Sequence, residues 1–259
     1  MKVTSNDGTA IAYEKSGTGP ALILVDGALC SRAFGPMAKV APLLAPQFTV
    51  FSYDRRGRGD SSDVQPYARE REVEDIAALI RVAGGSAHLV GLSSGAALAL
   101  EAAAAGLGIK KVAAYEPPYV GSDSRAGARY EGQLKKLIAE GRRGAAVKYF
   151  MRDMVGVPPI FVVLMQLMFG VWKKLKAVAH TLPYDAAVMG DFTVPVSRLG
   201  TIRTPTLVMH GSKTDARLKK AAQAVAEAVP SAQHLALAGQ THNVSPEVLT
   251  RALLDFFRG

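Results

Sequence analysis

An apolar strand that runs into Gly-x-Ser-x-Gly and straight on into a helix leaves a chain few folds to adopt. Residues 89–96, Leu-Val-Gly-Leu-Ser-Ser-Gly-Ala, have this form, and a small-residue helix is predicted from Ala96 to Ala105. A serine on so sharp a turn needs neighbours without bulk, because the turn brings the flanking backbones nearly into contact. Gly91 and Gly95 meet that need, and the helix N-terminus beyond Ser93 offers unbonded N–H groups and a positive dipole end. Ser93 is therefore a candidate nucleophile. The same residues would also suit a Gly/Ser loop capping a buried helix, so the rest of the chain has to discriminate.

Short strands are expected at residues 2–4 and 10–14, around the turn signal Asn6-Asp7-Gly8. Ala21 to Val25 is a continuous apolar run, as in a strand buried on both faces, and ends in Asp26-Gly27-Ala28. A helix over 33–44 and a strand from Phe48 to Tyr53 follow, then a glycine-punctuated polar loop from Asp54 to Ser61. There Arg55, Arg56 and Arg58 are expected to pair with Asp54 and Asp60. Val73, Ile76, Ala77 and Ile80 share one face of the next helix, which Gly84-Gly85 ends. The strand Ala87 to Val90 delivers Ser93, and Lys111 to Tyr115 is closed by Glu116-Pro117-Pro118. Alternation of this kind predicts a mostly parallel sheet with right-handed crossovers.

From Gly121 to Leu199 the pattern is helical: Tyr130 to Ile138, Ala145 to Val155, and a long apolar stretch from Val155 to Trp172. Strands return at Thr206 to His210 and Gln233 to Leu237. Between them runs a helix, and after them a helix capped by Ser245 with Pro246 at its first position. The expected organisation is an α/β core over 1–118 and 201–259 with a helical cap over 119–200. The apolar stretch is long enough to raise a membrane span. Pro158, Pro159, Gln166 and Gly170 interrupt it, so a cap over Ser93 is expected rather than stable membrane insertion.

Size and charge narrow the function. At 259 residues and 49% hydrophobic content, the chain can bury one large core or a core plus a subdomain. The net charge of +9 comes from dispersed basic pairs with no aromatic interleaving, which argues against nucleic acid. A single cysteine, Cys30, precludes an intramolecular disulfide, and no zinc-type cluster is legible. Without an apolar N-terminal run, a cytoplasmic location is the default.

In open α/β sheets ligands sit at the carboxyl ends of the strands. Just past such ends lie Ser93, Asp215 and His242, in the order associated with this kind of strand–serine–helix turn. Serine needs a base to take its proton, and the histidine needs a carboxylate to fix its tautomer. A Ser93–Asp215–His242 triad is therefore expected, with no metal and no cofactor.

With these motifs, together with Tyr115-Glu116-Pro117-Pro118, Thr204-Pro205 and Gly239 to His242, nearly the whole chain resembles the α/β-hydrolase fold. The branch it resembles holds small capped esterases, lactonases and cofactor-free haloperoxidases. The resemblance implies a mostly parallel central sheet flanked by helices. It implies a serine esterase or lactonase working through an acyl-enzyme, and an oxyanion hole built from the N–H groups of Ala28 and Ser94. It also keeps Glu116 as a second candidate for the acid, since some members place the acid there. The family usually has His-Gly where this chain has Asp26-Gly27, and Asp26 is expected to turn away and bond loop backbone. The alternatives are cofactor-free non-hydrolytic chemistry (perhydrolase, haloperoxidase, lyase or oxygenase) and non-catalytic ligand binding. The pocket is expected to involve Asp26, Leu29, Phe161, Met165, Met168 and Trp172, suiting a hydrophobic ester or lactone, and a homodimer is possible.

Overall fold

The computed structural model describes residues 1–121, 125–230 and 232–258. Eight strands form one sheet: β1 (Lys2–Thr4), β2 (Ala10–Ser16), β3 (Ala21–Val25), β4 (Thr49–Tyr53), β5 (Ala87–Leu92), β6 (Ile109–Tyr115), β7 (Thr206–Gly211) and β8 (Ala232–Leu237). Their spatial order is β1-β2-β4-β3-β5-β6-β7-β8. β1, β2 and β4 pair antiparallel, and every pairing from β4 through β8 is parallel.

Apolar runs without alternation fit this sheet because both of its faces are covered. Ile23, Val25 and Leu89 belong to one buried cluster with Ile76 and Leu79 of α2 (Arg69–Val82) and the small residues of α3 (Ser94–Ala104). Leu22, Leu24, Val90 and Leu92 point the other way. They meet Val40 and Leu44 of α1 (Met37–Leu44) and Leu249 and Leu253 at the C-terminal end of the chain.

Between β6 and β7 the chain runs through α4 (Ala126–Ala139), α5 (Arg143–Tyr149), a π-helical turn (Phe150–Val155), α6 (Pro159–Leu167), α7 (Phe169–Val178), a 3₁₀ turn (Ala179–Thr181), α8 (Leu182–Met189) and α9 (Val196–Leu199). The long apolar stretch is thus two helices, broken at Met168, whose ψ of 75° is not helical. No described helix is long and apolar enough to cross a membrane. The helix α10 (Ala216–Ala228) joins β7 to β8, and α11 (Pro246–Arg258) ends the fold.

Candidate active site

Ser93 sits between β5 and α3 at φ 57°, ψ −127°, a backbone conformation that costs energy for any side-chain-bearing residue. It is held there from both sides. Its N–H donates to the Tyr115 carbonyl at 2.9 Å, and its carbonyl accepts from Ala96 and Ala97 at 2.8 and 3.2 Å. A Cβ added at Gly91 would land on the Gly95 carbonyl and the Ala96 backbone, and one at Gly95 on the carbonyls of Val25 and Asp26. The Gly-x-Ser-x-Gly spacing is thus a steric requirement of three backbones meeting at one point.

His242 follows β8, in a loop where Tyr115 Oη donates to the Thr241 carbonyl at 2.6 Å. Its Nδ1 lies 2.6 Å from Oε2 of Glu116, not against Asp215. Glu116 is the residue immediately after β6, fully buried, at a left-handed φ of 49°. Its N–H donates to Met209, its Oε1 accepts from Gly211 N–H at 2.7 Å, and its Oε2 also accepts from Thr214 Oγ1 at 3.1 Å. A carboxylate so completely bonded has one orientation.

Asp215 is engaged elsewhere, which corrects the expected pairing. It caps α10, its Oδ1 accepting from the N–H and Nε of Arg217 at 2.7 and 3.0 Å, and its side chain is 50% exposed. The Arg217 bonds hold its carboxyl below the ordinary carboxylate range. The sequence carried both signals: an aspartate directly before a helical pattern marks an N-cap. A glutamate ending a buried strand before two prolines has no helix to cap.

Ala28 and Ser94 both border the same cavity as Ser93 and His242. Ser94 is the first residue of α3, where no intrahelical carbonyl reaches its N–H. Its hydroxyl donates to Asp185 of α8 at 2.7 Å. Asp185 also accepts from Arg55 Nη1 and Arg58 Nη2, both at 2.7 Å, and Arg58 Nη1 donates to the Gly27 carbonyl at 2.6 Å. Burial pushes the Asp185 carboxyl up, but the two guanidiniums outweigh it and leave it below the ordinary range. The arginine pairing therefore differs from expectation. Arg55 pairs with Glu72 and Asp185, Arg56 with Asp75 and Asp7, and Arg58 with Asp185, while Asp54 and Asp60 take Arg32.

Phe161, Met165 and Met168 border the cavity; Asp26, Leu29 and Trp172 do not. Asp26 turns beneath the strand end: Oδ1 accepts from Gly27 N–H at 3.1 Å, and Oδ2 has no hydrogen bond. Burial pushes its carboxyl up to about 6. Leu29, at a left-handed φ of 61°, points into the main core, and Trp172 packs against that core from α7. The cavity, about 1170 Å³, is lined also by Met151, Met154, Leu164 and Met189 from the helices between β6 and β7. Among the described residues no group of three or more His, Cys, Asp or Glu side chains is placed to hold a metal ion.

The sequence matches the model of the alpha/beta hydrolase family over residues 19–252. An alpha/beta hydrolase from Sphaerobacter thermophilus is similar at 52% identity and a TM-score of 0.92, over 99% of this chain and 100% of that one. A thermophilic esterase from Thermogutta terrifontis shares the fold at 22% identity and a TM-score of 0.79, over 100% and 97%. An enol-lactonase from Burkholderia xenovorans shares it at 20% identity and 0.74, over all of both chains. An eight-stranded, mostly parallel sheet with helices on both faces, a serine on a strained strand-to-helix turn and a match across most of the sequence lead to one conclusion: this chain belongs to the alpha/beta hydrolase family.

Proposed function

We propose that this hydrolase cleaves hydrophobic carboxylic esters or lactones, with Ser93 as nucleophile, His242 as base and Glu116, in place of Asp215, as the orienting acid. The 2.6 Å contact between His242 Nδ1 and the buried Glu116 carboxylate carries the reading, because it occupies one imidazole nitrogen and leaves Nε2 for chemistry in the cavity that His242 and Ser93 both border. Glu116 accepts a hydrogen bond from Nδ1–H, which fixes the tautomer whose Nε2 is unprotonated and able to take the Ser93 hydroxyl proton. The Ser93 oxygen attacks the carbonyl carbon, and the N–H groups of Ala28 and Ser94 stabilise the developing oxyanion. His242 returns the proton to the departing alkoxide. Water, deprotonated by the same imidazole, then releases the acid and restores Ser93.

Methionine and aromatic lining favours an apolar acyl or alcohol group over a sugar or nucleotide. Hydrolysis of an activated aryl ester and labelling by a fluorophosphonate probe test the reading. Ser93→Ala is expected to abolish labelling and lower kcat at least about 10⁴-fold. Unchanged turnover in the variant sinks the proposal.

A further inference from the structure

The roof of the cavity has an outer face that nothing in the structure covers. Ile160, Val163, Leu167 and Phe169 are exposed and lie outside the cavity lining, Leu167 and Phe169 to 74% and 77%, and α6 carries no charged side chain. Clustered exposed apolar side chains of this kind mark interaction surfaces. Its surroundings are basic. Residues 143–184 hold six lysines and arginines against one acid, Asp153, which Arg152 takes. Lys173, Lys174 and Lys176 lie in α7, in the second half of the hairpin.

We propose that the α6–α7 hairpin docks on an anionic lipid–water interface, apolar face inward and lysines at the headgroups, so that lipid-partitioned esters reach the cavity from that surface. Apolar burial and attraction to anionic headgroups together make such binding reversible but selective. Phe161, Leu164 and Met168 of the same hairpin border the cavity, so the docking surface lies beside the substrate site. A second copy of the chain fits the patch less well, because a two-fold contact would set one basic segment against another. Flotation with vesicles of phosphatidylcholine alone, and with phosphatidylglycerol added, tests this. The protein is expected to float only with the anionic vesicles and to be released by high salt. Leu167→Ser/Phe169→Ser and Lys173→Glu/Lys176→Glu are each expected to weaken flotation at least tenfold while turnover of a short soluble ester is unchanged. Equal binding to both vesicles, or binding to neither, overturns the proposal. So does a stable dimer by light scattering that Leu167→Ser/Phe169→Ser converts to monomer.

A separate observation concerns the oxyanion hole and rests on the proposed hydrolase reading. The carbonyl of Gly27 and the N–H of Ala28 are opposite ends of one planar peptide unit. Arg58 Nη1 donates to that carbonyl at 2.6 Å, and its Nη2 and Nε are held by Asp185 and Thr181, both from the segment between β6 and β7, at 2.7 and 3.1 Å. Asp185 also holds the Ser94 hydroxyl. A single α8 carboxylate is thereby tied to Ser94 directly and, through Arg58, to the Gly27–Ala28 peptide, the two units proposed to supply the oxyanion-hole N–H groups.

We infer that Arg58 and Asp185 are positioning residues of the oxyanion hole. A charge-assisted bond at the carbonyl end fixes the peptide plane and makes the Ala28 N–H a stronger donor. Thionoesters provide the specific readout, since sulfur is a poor acceptor and gains little from the hole. Arg58→Lys is expected to lower kcat on an oxoester at least tenfold, with KM within about twofold, and to change the matched thionoester far less. Ser94→Ala, which keeps the N–H but removes the hydroxyl bonded to Asp185, is expected to give a smaller selective loss if the arginine variant does not fold. Equal losses on both substrates in the folded variants overturn the inference. Loss of the Ser93→Ala effect would instead overturn the hydrolase reading beneath it.

Discussion

Glu116 and Asp215 differ by what else each is bonded to. Glu116 is fully buried, fixed by Gly211 and Thr214, and directed at His242. Glu116→Gln is expected to lower kcat by roughly 10³–10⁴-fold with the fold intact, because the amide cannot hold the imidazole tautomer and imidazolium charge. Asp215→Ala is expected to leave kcat within a few-fold and to cost about 1 kcal/mol of stability, as loss of an N-cap does. Steady-state kinetics and urea unfolding of the pair separate the two roles. Asp26 makes a pH-dependent prediction. Burial lifts its carboxyl from 3.8 to about 6, so between those values the folded protein holds a proton that the unfolded chain has released. Stability attributable to this group therefore falls as pH rises through that window and stays low above it. Asp26→Asn cannot ionise, and is expected to gain up to about 3 kcal/mol at pH 8 relative to pH 4 in urea titrations.

At the scale of elements, the turn between β5 and α3 depends on absent side chains as much as on present ones. Gly95→Ala would drive a methyl group into the carbonyls of Val25 and Asp26, which belong to the neighbouring strand end and cannot step aside. We expect a loss of more than about 3 kcal/mol and a Tm lower by on the order of 10 °C in calorimetry. This element was legible from sequence because its constraint is local. The apolar stretch from Val155 to Trp172 was less so. Composition marks it as apolar, but the break at Met168 and the division of α6 between a cavity-lining face and an open face depend on how α6 folds back against α7.

At the scale of the whole molecule, a buried ionic cluster ties the sheet and α2 to the helical segment between β6 and β7. Arg55 and Arg58, from the loop after β4, meet Asp185 from α8, with Glu72 of α2 completing the set. Asp185→Ala would leave Arg58 without a carboxylate partner in a dry site, and is expected to cost about 3–5 kcal/mol in urea unfolding. It is also expected to speed proteolytic cleavage within α4–α9. Because the Asp185 carboxyl lies below the ordinary range, its contribution is present at neutral pH and lost as pH falls into acid, opposite in sign to that of Asp26.

By itself, the sequence determined the alternation of strands and helices, the burial of the sheet on both faces and the strained turn at Ser93. Each of these follows from local periodicity or from steric contact within a few residues. It also narrowed the candidate acids to residues just beyond strand ends. Only the tertiary structure showed which of them bonds His242. Ser93, Glu116, Asp215 and His242 all lie past carboxyl ends of β5 to β8, but a hydrogen bond requires approach to about 3 Å along a set direction. With β6 between β5 and β7, the Glu116 carboxylate is buried and aimed at His242, while Asp215 is taken by the first turn of α10.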